Sequence, residues 1–211
     1  MTIKLNTFTS FTTSNCYVLQ PFDNEVCIFI DLPPDLDDAL KYVKENNLTI
    51  AGALITHGHY DHSLGLRDFN YKSYINLDDQ FLARNPQEQI KAFMGNAYDV
   101  EEYEGELRSF EEIPYDSIKV YKNPGHTKGS VSYEFPNIGL IFTGDFVFKD
   151  GIGRTDLYSG SIDEMKHSID HVFSNFNEDF EILPGHGPSG KVKSIKENNE
   201  YIKVMLNDRT S

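Results

Sequence analysis

Three observations predict an α/β protein. Residues 26–30 and 50–55 are short apolar runs with the β-branched content of strands, and residues 35–46 between them place Leu36, Ala39, Leu40 and Val43 at helical spacing. Residues able to bind a metal also recur just past short apolar runs, where open α/β architectures place their ligands.

Each element has a local reason. Residues 3–5, 16–19 and 26–30 read as early strands, with a turn-rich joint at residues 20–24. Pro33-Pro34 starts the first helix and Asn46-Asn47 stops it. Asp31, at a strand end, reads as a turn former and is left outside the site. Residues 63–68 are expected to continue as a helix and Ser73-Tyr74-Ile75 as a short strand. Residues 78–100 look mainly helical, with Phe81, Leu82, Ile90 and Phe93 as apolar positions and a break at Asn85-Pro86. The acid-rich residues 101–112 read as a solvated loop, and Tyr98 and Tyr103 as partly packed aromatics. Residues 118–121 alternate, and residues 140–145 form an apolar strand ending in an acid. Ser161, with Glu164 three residues on, caps a helix over residues 161–173, whose apolar positions are Ile162, Met165, Ile169, Val172 and Phe173. A last helix covers residues 191–206.

The most informative stretch is Thr56-His57-Gly58-His59-Tyr60-Asp61-His62-Ser63, with three imidazoles and one carboxylate in six residues. His57 follows a predicted strand, and Gly58 allows a sharp turn. His57 and His59 are spaced to reach one point, and Asp61 and His62 a second, which suggests two adjacent metal sites. Further ligands must come from elsewhere. His126 sits in Asn123-Pro124-Gly125-His126-Thr127-Lys128-Gly129-Ser130, Asp145 ends residues 140–145, and His186 lies in Pro184-Gly185-His186-Gly187-Pro188.

With His126, Asp145 and His186 in that order after His57-Gly58-His59-Tyr60-Asp61-His62, the chain resembles the metallo-β-lactamase-fold superfamily, and within it the glyoxalase II-like thioester hydrolases. The likeness covers nearly the whole chain. It implies a four-layer αββα sandwich, formed by residues 1–211 as one domain without the C-terminal helical domain of larger glyoxalase II enzymes. It also implies a first metal on His57, His59 and His126, a second on Asp61, His62 and His186, and Asp145 bridging them. The expected ions are two divalent metals, Zn foremost and Fe or Mn as alternatives.

Composition bounds the rest. At 211 residues and 39% hydrophobic, the chain suits one globular domain. A net charge of −14, spread along the sequence, argues against a nucleic-acid partner. The polar start and the lack of a spanning apolar run lead us to expect no membrane association and a cytoplasmic location. Cys16 and Cys27 lie in predicted strands and read as small buried hydrophobes.

Residues 151–160 place three glycines around Arg154-Thr155-Asp156. Arg154 has two readings, binding a substrate carboxylate or pairing with Asp156. Tyr158 and Lys128 are the other candidate substrate contacts. The stretch resembles both small glyoxalase II-like enzymes and persulfide dioxygenases. His167 and His171, at i and i+4, read as surface residues outside the centre. The expected function is hydrolysis of an acyl thioester, S-lactoylglutathione or a similar hydroxyacyl thioester, by attack of a metal-bridging hydroxide oriented by Asp61 and Asp145. The alternatives are a mononuclear iron persulfide dioxygenase using His57, His126 and Asp145, or a metallo-hydrolase of another ester or amide. A non-catalytic metal module would not need seven ligands with open positions. Oligomeric state is left open.

Overall fold

The computed structural model describes residues 4–21, 25–95 and 99–207, which form two compact units, Met1–Ile113 and Pro114–Ser211. Ile3, residues 22–24 and Tyr98, named above, lie outside the described residues.

The first unit holds β1 (Lys4–Thr9), β2 (Asn15–Gln20), β3 (Val26–Ile30), α1 (Asp37–Glu45), β4 (Thr49–Leu54), α2 (Tyr60–Ser63), β5 (Ser73–Ile75), α3 (Gln80–Arg84), α4 (Gln87–Met94) and β6 (Arg108–Ser109). Its six strands form one sheet in chain order. β1 to β3 run antiparallel, and β3 to β6 pair in parallel. The strand expected at residues 3–5 extends to Thr9, because all six residues of β1 pair with β2. β2 is buried along its whole length. The helix foreseen at residues 35–46 is α1, which buries Ala39 and Val43 against Phe29, Leu66 and Phe69. Burial of a side chain the size of Val43 contributes about 1.5–3 kcal/mol.

Three expectations for this unit change. The helix placed at residues 63–68 begins earlier, as α2, and passes into a 3₁₀ turn at Leu64–Arg67, so Asp61 and His62 lie on a helical turn. Phe81 and Phe93 are exposed, while Leu82 and Ile90 are buried; helical spacing identifies a stripe but not the side that meets the core. The acid-rich residues 101–112 are not all loop. Arg108 and Ser109 pair with β5, and a 3₁₀ turn follows at Phe110–Glu112, capped by Ser109 and Glu112.

The second unit holds β7 (Lys119–Lys122), β8 (Val131–Phe135), β9 (Leu140–Gly144), α5 (Ile162–His171), β10 (Glu181–Pro184), β11 (Gly190–Lys191), α6 (Val192–Asn198) and α7 (Glu200–Asn207). Its sheet has the order β11-β10-β9-β8-β7, with β9 and β10 parallel and the other pairs antiparallel. Met165 and Ile169 of α5 pack with Ile141, Phe146, Phe173, Ile182 and Ile195. Ser161 caps α5 by accepting from the Glu164 N–H at 3.3 Å, as expected, although Ile162 is exposed. The single last helix expected is two. Buried Asn199 separates them, donating to the Phe148 and Gly151 carbonyls at 3.1 and 2.9 Å and accepting from the Ile202 N–H at 3.2 Å.

Cys16 and Cys27 are free and buried, as their strand positions implied. Burial pushes the Cys16 thiol well up and raises that of Cys27 to about 11. No helix among the described residues is long and apolar enough to cross a membrane.

Candidate metal centre

In the first unit, β4 ends at Leu54 and delivers His57, His59, Asp61 and His62 in quick succession. His57, His59 and His62 are buried. The His57 ring centroid lies 4.9 Å from that of His59 and 4.3 Å from that of His62. His62 Nε2 is 3.6 Å from Asp61 Oδ2. Gly58 is needed for close approach rather than for a special turn. A Cβ there would stand 2.6 Å from the Asp79 carbonyl oxygen, and the Gly58 N–H donates to Asp79 Oδ2 at 2.8 Å.

Asp31 organises this cluster, a role that sequence reasoning missed. It is buried and holds φ at +59°, a conformation Asp tolerates better than most residues. Its carboxylate accepts from the Thr56 N–H at 2.7 Å, the Thr56 hydroxyl at 2.8 Å and His62 Nδ1 at 2.9 Å. The Thr56 hydroxyl, having given its proton to Asp31, accepts from His57 Nδ1 at 3.1 Å. Both imidazoles are thereby held with Nε2 as the lone-pair nitrogen, the usual preparation of a metal-binding histidine. The signal was an acid at the carboxyl end of β3. Its meaning depends on β3 and β4 being neighbours, which brings Asp31 beside Thr56. Ser14 adds a brace from β2's approach, donating to the Asp61 carbonyl at 2.7 Å. Next to Asp61, the Tyr60 phenol is raised by burial and by that carboxylate.

In the second unit, His126, Asp145 and His186 come from three loops. His126 Nδ1 donates to the Arg154 carbonyl at 2.7 Å, which again leaves Nε2 as the lone-pair nitrogen. Asp145 Oδ2 is 3.5 Å from His126 Nε2 and 3.6 Å from His186 Nε2. Two donors about 2.0–2.1 Å from one ion at a tetrahedral angle stand ~3.4 Å apart, so these separations, like that of Asp61 and His62, suit ligands of a divalent metal. One carboxylate oxygen thus faces two imidazoles at nearly equal distance. All seven residues belong to His/Asp groupings able to hold a metal.

Gly153 explains part of the Gly-rich stretch. A Cβ there would collide with the Asp145 carbonyl oxygen and lie 3.0 Å from His126 Cγ, so the glycine serves close packing against Asp145 and His126. The Arg154 side chain meets Asp156. It is exposed and forms a two-pronged pair with Asp156 at 2.7 and 2.8 Å, which holds the Asp156 carboxyl down at about 2. Its backbone carbonyl is the partner of His126 Nδ1. Lys128 lies near Tyr158 in the chain's loops, since its N–H donates to Ser159 Oγ at 3.3 Å, and the Tyr158 side chain is exposed. Tyr103 packs on the first core, with the Arg67 and Arg84 guanidinium groups over its ring.

Residues 9–186 match the metallo-β-lactamase superfamily. The chain is 29% identical over 200 residues to the probable metallo-hydrolase YqgX of Bacillus subtilis, covering 90% of this chain and 92% of that protein. It is 27% identical over 215 residues to the hydroxyacylglutathione hydrolase GloC of Haemophilus influenzae, covering 96% and 98%. Among solved structures, TTHA1623 in a di-iron-bound form shares the fold with a TM-score of 0.82 at 21% identity, over 93% of this chain and 99% of that one. On a match that spans most of its length, the chain belongs to the metallo-β-lactamase superfamily of metallo-hydrolases.

Proposed function

We propose that the protein is a binuclear metal-dependent hydrolase of acyl thioesters, with S-lactoylglutathione or a similar hydroxyacyl thioester as substrate. In this reading His57, His59 and His126 hold one ion, Asp61, His62 and His186 hold the second, and Asp145 bridges them. The observation that carries it is Asp145 Oδ2, nearly equidistant from His126 Nε2 and His186 Nε2. Similarity to GloC over almost the full length of both chains supports the substrate class.

Divalent ions bound there supply Lewis acidity toward a carbonyl oxygen and a water acidic enough to become a nucleophile near neutral pH. The protein's own part is to aim the reacting groups. The Asp61 carboxylate, partly open to solvent, orients the attacking water by accepting its hydrogen bond. Asp31 and Thr56 keep His62 and His57 in one tautomer and one orientation. A thiolate leaves readily, so the reaction asks little of a general acid. Zn is the first choice of metal, and the di-iron form of TTHA1623 makes Fe the next.

The test is loss of thioester absorbance when the Zn-loaded protein meets S-lactoylglutathione, with Asp61→Ala alongside. Turnover that collapses in the variant is expected. Full activity in Asp61→Ala, or no turnover by either protein, would overturn the proposal.

A further inference from the structure

We propose that His167 and His171 form a second, peripheral site for a divalent transition-metal ion of the imidazole-binding class, Ni²⁺, Cu²⁺ or Zn²⁺, on the outer face of α5.

The two residues lie one helical turn apart, and their rings are stacked with centroids 3.9 Å apart and planes inclined by 22°. Both are exposed, the His171 side chain to 58%. In the stack the in-plane lone pairs run side by side, and because both side chains are exposed at i, i+4 the rings can turn to meet at one ion beside the helix, as in helical zinc sites. His171 Nδ1 donates to the His167 carbonyl at 3.1 Å, which leaves Nε2 as the lone-pair nitrogen. The same arrangement prepares His126, whose Nδ1 meets the Arg154 carbonyl at 2.7 Å.

The backbone beneath the pair is already fixed. Met165, Ser168 and Ile169 are buried on the opposite face, and the Ser168 hydroxyl donates to the Pro124 carbonyl at 2.7 Å. An ion therefore has only two side chains to order, which lowers the cost of binding. The chain's other five histidines are all assigned to the centre above, four of them buried and His186 partly so. This pair supplies its exposed imidazoles.

The experiment uses the untagged chain, loaded with zinc only to the two equivalents that the centre above would take and then dialysed against Ni²⁺, with both metals counted by mass spectrometry. One Ni²⁺ per chain, gained without loss of zinc, is expected. His167→Ala and His171→Ala should each weaken Ni²⁺ binding at least ~tenfold, because two linked donors bind far more tightly than one. His167→Asn/His171→Asn keeps the surface polar, and should abolish Ni²⁺ binding while leaving the circular dichroism spectrum and thioesterase rate unchanged. Nickel that replaces zinc, nickel binding that survives in the double variant, or single variants of wild-type affinity would overturn the site.

Discussion

The two sets of proposed ligands are held by different means. In the first unit the histidines are wired through side chains: one carboxylate, Asp31, holds His62 directly and His57 through the Thr56 hydroxyl. In the second they are held by main chain. His126 rests on the Arg154 carbonyl, and the loop leading to His186 is tied by the Gly185 N–H donating to the Gly144 carbonyl at 2.8 Å. The difference predicts where substitutions do harm. A side-chain change away from the ligands should disable the first set, whereas the second should yield only to changes that move the backbone.

The largest effect should come from a ligand itself, where the two modes of support no longer matter. Asp145→Asn should lower kcat ~100-fold or more, because several kcal/mol of transition-state stabilisation depends on the bound ions. Steady-state kinetics on S-lactoylglutathione would check it. Asp31→Asn comes next. It keeps a residue that tolerates positive φ but sets an amide NH₂ among three donors. Metal affinity should fall ~10–100-fold, and each buried donor left unsatisfied should cost about 1–3 kcal/mol, read by chelator competition and denaturant melts.

Two substitutions in one loop sharpen the contrast. Gly153→Ala forces the Asp145 carbonyl aside and should destabilise the protein by about 1–3 kcal/mol while weakening metal binding. Arg154→Ala, one residue on, removes only an exposed pair and should leave metal affinity within about twofold of wild type. A large loss of metal in Arg154→Ala would break the comparison. The smallest effect is a lack of reaction. With Cys27 at about 11 and Cys16 raised further by burial, neither thiol should be alkylated in the folded protein at pH 8, where the Cys27 thiolate fraction is ~0.1%. Both should react after unfolding.

What the sequence revealed follows the same division. His57 to His62 was legible because four ligand-type residues crowd a short stretch after a strand, and His126, Asp145 and His186 because each follows an apolar run. Asp31 was not, since a lone acid at a strand end gains meaning only when β4 lies alongside β3. β8 escaped the reading although all five of its residues are buried. The short β6 escaped because its two residues pair with β5 from within an acid-rich stretch. Phe81, Phe93 and Ile162 show that helical spacing does not specify which face is covered. Arg154 shows a residue noticed for its side chain whose backbone carbonyl holds a proposed ligand.

The most direct test of the account is the metal content of the purified chain, measured by mass spectrometry in the His167→Asn/His171→Asn background so that the proposed surface site adds no ion. Two ions per chain should fall to one when Asp61→Ala is added. A single ion before that change, or two ions after it, would contradict the two-metal centre.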